Sequence, residues 1–517
     1  MKPVSLLLLG AMLGAMLGAL SPRLARAQGK APAATRQGAR FTPAELRADF
    51  DQALGFIDAF AVHKDLNAQR LGIDYVSHYA ALRREIGEGT DLCTFARLLD
   101  RALNLVQDLH ASTMSYEYLQ QYGKLQSRYN IADDETYAGV ATRERTCAVA
   151  APALDLPLIF ADGRYVVYSD FTYRGERVGR GTTLTSYNGE DITAFIRTHL
   201  EDVRPVRTTR TGGVYSTRFY RAGPDTFRLG LSDGRELTMQ LADSITWTAR
   251  RAHEITYFSQ PKARVVLFAE QHVLYIGIPM MDEELVDGIN AQVDAVVRSG
   301  AKFDRIAIDI RGNGGGSDLT WRRILAHLTR RELQLSLDLR MKDTPAARLR
   351  YHHDVPPPAS PVALLGGLPY WVHNNDVIRF DPDSMSLGFE GPILVLRDAY
   401  IYSSAANFAT FANADPQLTT VGEATGLVGG SQMEPLFFKL DHSGIVFRLE
   451  PVLDFAGVRT LGDFAHNEVE VEFPPSVEDY HRRATYAGDL FDREYLIRHD
   501  PLFRYVVSQA TGNTRAR

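Results

Sequence analysis

Three short stretches of this chain combine residue types suited to nucleophilic chemistry. The first is Asp309-Ile310-Arg311-Gly312-Asn313-Gly314-Gly315-Gly316, directly after an apolar run. Consecutive glycines let a backbone approach another group closely with its N–H groups aimed outward. Such a turn can hold a developing oxyanion, where one lost donor costs about 2.7–4 kcal/mol. A plain turn would have the same composition, but a phosphate loop would not. Neither G-x-x-x-x-G-K-[ST] nor a well-placed G-x-G-x-x-G is present.

The second stretch is Tyr402-Ser403-Ser404-Ala405-Ala406-Asn407-Phe408-Ala409. A serine between a strand and a helix can expose its Oγ, and the helix N-terminus favours negative charge nearby. Serine is also a preferred N-cap, so a capping role fits either hydroxyl. The third stretch is Asp108-Leu109-His110-Ala111-Ser112. Histidine is the usual general base for a hydroxyl near neutral pH, although this chain has 14 of them.

The elements that must position these groups change character along the chain. Thr42-Pro43-Ala44-Glu45 reads as a helix start, with a hydroxyl cap, Pro in the first turn and an acid after it. Apolar residues then recur at spacings of three and four to about Met114, which predicts several packed helices. Between about 150 and 250 the period shortens. Asp162-Gly163 and Asp233-Gly234 each sit between short apolar runs, a hairpin signal, and Leu184 to Ile192 reads as a strand, an Asn188-Gly189 turn and then a helix start. The arginines Arg204, Arg207 and Arg210 read as a solvated loop. From about 255, strands at 273–278, 305–310 and 392–396 alternate with helical segments, an α/β pattern. Residues 331–390 look like an insertion.

At 45% hydrophobic and 23% charged residues, the 517-residue chain has globular composition, with room for two to four domains. Lys2, the apolar stretch from Val4 to Leu20, and Ala25-Arg26-Ala27 follow the order of a secretory signal, with cleavage expected after Ala27. The net charge of −6 falls to −9 once the three basic residues Lys2, Arg23 and Arg26 leave, which disfavours nucleic acid. No later stretch approaches about 18 uninterrupted apolar residues, so no stable membrane insertion is expected. Cys93 and Cys147 are the only cysteines. An oxidising compartment permits a bridge, and two separate thiols are the other possibility.

Taken together, the three stretches resemble the S41 serine peptidases, the carboxyl-terminal processing (tail-specific) protease and tricorn-core group. Asp309 to Gly316 matches the D-[LI]-R-x-N-x-G-G segment, and Ser404-Ala405-Ala406 matches the start of S-A-[AS]-E. Val421-Gly422-Glu423-Ala424-Thr425 is similar to V-G-E-x-T, and Asp108-Leu109-His110-Ala111 to D-x-H-[TA]. The resemblance implies a crotonase/ClpP-like ββα catalytic core, an N-terminal helical domain and a small β-rich PDZ-like domain. It divides the chain into a signal at 1–27, a leader at 28–40, helices at 41–148, the β module at 149–252 and the core at 253–517. It implies peptide-bond hydrolysis with Ser404 as nucleophile, His110 as base, and Gly315 and Ala405 N–H groups as oxyanion hole. Substrates would be peptides or unfolded proteins in the periplasm or outside the cell, with no cofactor.

Three departures stand out. The processing proteases have a lysine base after V-G-E-x-T-x-G, but no Lys occurs here between Ser404 and Phe438. Asn407 replaces the acid of S-A-A-E, and Leu109 stands where the tricorn core has a serine. His110 then needs an orienting acid, for which Glu423 and Glu450 are candidates. The alternative is a catalytically silent relative that binds peptides or apolar ligands. A zinc peptidase is disfavoured, because Tyr257 takes the place of the second His after His253-Glu254. His352-His353-Asp354 reads as a solvated loop rather than a metal site.

Overall fold

The computed structural model describes residues 41–122, 134–147, 156–209, 211–217, 226–240, 245–246, 249–250, 255, 263–350, 370–374, 376–427, 435–458, 460 and 469–509. The expected signal and leader, His253-Glu254 and His352-His353-Asp354 lie outside these residues. Among the described residues no helix is long and apolar enough to cross a membrane.

The chain enters its first helix, Pro43–Phe60, through a complete capping box. Glu45 N–H donates to Thr42 Oγ1 at 3.2 Å, and Thr42 N–H donates to the Glu45 carboxylate at 2.8 Å. Helices Val62–Leu71, Tyr75–Arg84 and Leu92–Asn104 follow, the last with a buried stripe of Phe95, Leu98, Leu99, Ala102 and Leu103. The Cys93 and Cys147 sulfurs are bonded, joining this helix to Asp134–Cys147 across 54 residues of sequence.

All three Gly-containing turns of the middle segment reverse the chain. Leu158–Ala161 pairs antiparallel with Arg164–Val167, and Thr226–Leu231 with Glu236–Gln240. Thr183–Tyr187 turns through Asn188 and Gly189, both at positive φ, into Glu190–Asp191. These backbones twist as the two-residue hairpin requires. The sheet runs in the order Glu236–Gln240, Thr226–Leu231, Thr183–Tyr187, Arg164–Val167, Leu158–Ala161. Its apolar face shares one core with the N-terminal helices: Leu184, Phe195 and Phe227 cluster with Leu99, Leu103 and Phe447.

The expected solvated arginine loop is corrected at Arg207. Its side chain is buried, and its guanidinium donates to the carbonyls of Ala399 and Thr425. A guanidinium with several donors can satisfy backbone carbonyls in the interior, which a reading from charge alone does not anticipate.

The second half is built on a six-stranded sheet. Arg264–Phe268 is an antiparallel edge on Val273–Gly277, followed in parallel by Arg305–Asp309, Ile393–Arg397, Leu418–Gly422 and Val471–Glu472. Helices Val286–Arg298, Asp318–Leu328 and Ser404–Ala414 cover one face, and Arg493–Arg498 with Pro501–Ser508 the other. Both faces are therefore buried, which explains why the strands read as continuous apolar runs. Within 331–390, Leu333–Ser336 pairs with Val377–Phe380, and Leu339–Lys342 with Tyr370–Asn374 and Val452–Asp454.

One buried ion network ties the glycine stretch to the C-terminal helices. Arg311 lies 2.6 Å from both Asp309 and Asp500, and Tyr275 Oη donates to Asp309 at 2.8 Å. Asp500 also caps the helix Pro501–Ser508 through Phe503 N–H at 2.9 Å. Removing Asp500 leaves the buried Arg311 guanidinium with one of its two carboxylates and strips the cap from Pro501–Ser508. Asp500→Ala should therefore lower unfolding free energy by about 3–5 kcal/mol. Urea titration of the two proteins reads this directly, and an unchanged midpoint would refute the network's role.

Candidate active site

Adjacent parallel strands bring the first two stretches together. Asp309 is in register with Leu396, so the glycine turn and the serine turn leave the same edge of the sheet side by side. Asn313 stitches the junction. Its Nδ2 donates to Ile278 O at 2.9 Å, its carbonyl accepts Tyr402 N–H at 3.1 Å, and its Oδ1 accepts Gly315 N–H at 2.9 Å. A Cβ on Gly315 would lie 2.6 Å from Ser403 Cβ and 2.8 Å from Tyr402 O, and φ is +105° there. Only glycine fits this close approach.

The two serines occupy different environments. Ser403 is partly exposed and sits at φ 52°, ψ −128°, with no capping bond from its side chain. A positive φ is costly for a residue with a side chain and clusters at functional turns. Ser404 is the first residue of the helix Ser404–Ala414, and its Oγ is buried without a hydrogen-bond partner among the described residues. Their amides differ as well. Ala405 N–H donates to Tyr402 O at 3.1 Å, whereas Ser404 N–H has no partner among the described residues.

The expected oxyanion donors are therefore both engaged, Ala405 with Tyr402 and Gly315 with Asn313. In the same turn, Gly314 and Gly316 N–H groups have no partner among the described residues. Gly315 O and Ser317 N–H both bond to Met281, so the intervening Gly316 amide points away from Met281.

His110 reaches this place through a different pairing. Ser112–Thr113 lies antiparallel to Val446–Leu449, with Ser112 opposite Arg448. Continuing the same register sets His110 opposite Glu450, and His110 Nδ1 lies 3.3 Å from Glu450 Oε2. Glu450 Oε1 accepts Val452 N–H at 3.2 Å, which fixes the carboxylate. The His110 ring packs on Tyr402 at 5.0 Å between centroids, so it borders the turn that holds Ser403.

Burial dominates the electrostatics. It pulls the His110 pKa down to about 3, with Arg448 adding to the effect and Asp108 opposing it. Burial and then the Asp108 charge hold the Glu450 carboxyl well above the usual range. Glu423 is not brought to His110. It lies among Asp398, Arg483 and Arg207, where burial and then Asp398 push its pKa up to about 7. Asn407 Nδ2 donates to both carboxylate oxygens of Asp318 at 3.2 Å, which anchors the helix behind the serines.

A hydroxyl on a strained turn near a buried histidine and glutamate, with free amides in the same and the neighbouring turn, has the parts of a serine-type hydrolase. Residues 272–457, which hold the glycine turn, the serine turn and Glu450, match the model of peptidase family S41, and this match supports a serine-type peptidase. No curated protein matches the sequence. Among solved structures, mature CPAF complexed with lactacystin is 16% identical over 86% of this chain and 96% of its own, with a TM-score of 0.51. Mature CPAF is 14% identical over 91% and 99%, with a TM-score of 0.52. A photosystem II D1 C-terminal processing protease is 12% identical over 83% and 93%, with a TM-score of 0.35. The two CPAF structures establish likeness of fold.

The third stretch contributes Asp108 as well as His110. Reading the sequence did not single out Asp108 or Tyr402, although both lie inside stretches it selected. Among the described residues, His199, Glu201 and Asp202 could together face a metal ion. Arg101 already pairs with Asp202 at 2.7 Å and Glu201 at 3.8 Å, which neutralises that group.

Proposed function

We propose that this peptidase cleaves peptides or unfolded proteins with Ser403 as nucleophile, His110 as base and Glu450 as the orienting acid. The observation that carries the reading is the Ser403 turn, strained, partly exposed and packed beside the His110 ring. Ser403 Oγ attacks the scissile carbonyl and passes its proton to His110, which returns it to the leaving amine. The acyl-enzyme then yields to water by the same route. The free amides of Ser404 and Gly316 hold the oxyanion, in place of Ala405 and Gly315. The Ser404 hydroxyl itself packs in the interior.

The parallel sheet with its flanking helices supports a crotonase-like ββα core. The antiparallel sheet with helix Ile192–Thr198 supports a PDZ-like module. Export, with cleavage after Ala27, is supported by the sequence pattern of the first 27 residues.

Glutamine substitutions test the choice of acid. With a fluorescently labelled unfolded protein as substrate, Glu450→Gln should lower kcat by about 10²–10⁴-fold, because it leaves the imidazolium unsupported. Glu423→Gln should stay within about threefold of wild type. The reverse ranking would reassign the acid, and an active site with neither effect would remove it. The pH profile offers a second check. The base must be neutral, so activity is lost as pH falls through the His110 pKa. Because burial lowers that value, kcat/KM should hold between pH 7 and pH 5, with its acidic limb below the ordinary imidazole value of about 6.5.

A further inference from the structure

We infer that Asp108 and Tyr402 form a positioning pair that fixes the His110 ring against the turn carrying Ser403. The inference rests on His110 and Ser403 being the base and nucleophile, and it adds what holds them in place. Asp108 Oδ1 accepts the Tyr402 hydroxyl at 2.5 Å and the His110 main-chain N–H at 3.1 Å. One carboxylate oxygen thus grips the base's own backbone and the residue immediately before Ser403. The two residues are 294 positions apart in sequence, so this is a tertiary clamp rather than a local turn.

Tyr402 touches the base, the glycine turn and the helix after the serines. Its ring packs on His110, its N–H donates to Asn313 O in the glycine turn, and its carbonyl accepts Ala405 N–H at the start of the helix. A shift of Tyr402 would therefore move base, oxyanion turn and nucleophile relative to one another. Misplacement by about 1 Å can cost about 10²-fold in rate. A tyrosine that only filled space would do so equally well as phenylalanine. The hydroxyl instead ends on a buried carboxylate, where a charge-assisted hydrogen bond is strong.

Other charges face the pair from each neighbouring element. His63 Nδ1, on the helix Val62–Leu71, is 3.8 Å from Asp108 Oδ2. Glu450 and Arg448 come from the strand region beside it, and Arg448 acts to lower the His110 pKa while the Asp108 charge raises it. Glu450 meets the imidazole ring, whereas Asp108 holds its backbone, so the two acids have separable effects.

Steady-state kinetics of Tyr402→Phe and Asp108→Asn on the labelled unfolded protein, from pH 8 down to pH 2 so that the acidic limb is covered, test this. Both variants should lose about 10–100-fold in kcat with KM within threefold. The acidic limb should move to lower pH in Asp108→Asn, because a negative charge that favoured the imidazolium is gone. In Tyr402→Phe the limb should stay in place. Wild-type kcat in Tyr402→Phe, which keeps the ring, overturns the pair even if Asp108→Asn fails to fold. An unmoved limb in a folded Asp108→Asn also overturns it. Wild-type enzyme that neither turns over substrate nor is labelled at Ser403 overturns the parent reading, and the pair with it.

Discussion

Ser403→Ala is expected to abolish labelling by a fluorophosphonate probe and to lower kcat by about 10⁶-fold, whereas Ser404→Ala keeps both. The two hydroxyls are one residue apart, so the contrast isolates backbone geometry from composition. Ser403 lies before the helix at φ 52° and is partly exposed, while the Ser404 hydroxyl is buried at its first position. A buried hydroxyl without access cannot meet a substrate carbonyl. The amide after the nucleophile must also be free to donate. Ser404 N–H meets that condition and Ala405 N–H, bonded to Tyr402 O, does not. Mass spectrometry of the labelled peptide decides between the serines. A probe adduct on Ser404 would return the nucleophile to the position implied by the family motif.

Gly315→Ala is expected to cost at least about 10²–10³-fold in kcat while the protein remains folded. Its added methyl group would lie 2.6 Å from Ser403 Cβ and 2.8 Å from Tyr402 O, and the φ of +105° disfavours any side chain. The cheapest relief is to push the serine turn away from the glycine turn. That separates Ser403 from the amides meant to hold the oxyanion. Gly314→Ala is the control, because a Cβ there meets nothing within 4 Å and φ is not positive. Kinetics and circular dichroism on both variants read the difference. Equal activities would show that the close approach at Gly315 is immaterial to catalysis.

Much of the local structure was legible from residue types. The Thr42–Glu45 capping box, the two Asp-Gly hairpin turns and the apolar strands of the parallel sheet all announce themselves within a few residues. Local chemistry sets them, through side-chain caps, positive φ at Asn or Gly, and burial on both faces. Arg207 was not legible, because its buried role depends on carbonyls of Ala399 and Thr425, 192 and 218 residues later. The match of Ser404-Ala405-Ala406 to a familiar string points to Ser404, whereas our proposal of Ser403 rests on its positive φ and partial exposure. A backbone dihedral separates the two, and no spacing rule reports it.

By itself the sequence determined that a glycine turn, a serine turn and a histidine exist in an α/β chain that resembles the S41 peptidases. Only the tertiary structure decided which serine is accessible and which amides are free. It also sets His110 beside Glu450 rather than Glu423, since Ser112–Thr113 pairs with Val446–Leu449. Residues 340 positions apart meet there through strand register. Register is fixed by burial of whole sheet faces, a property of the folded chain that no local pattern contains.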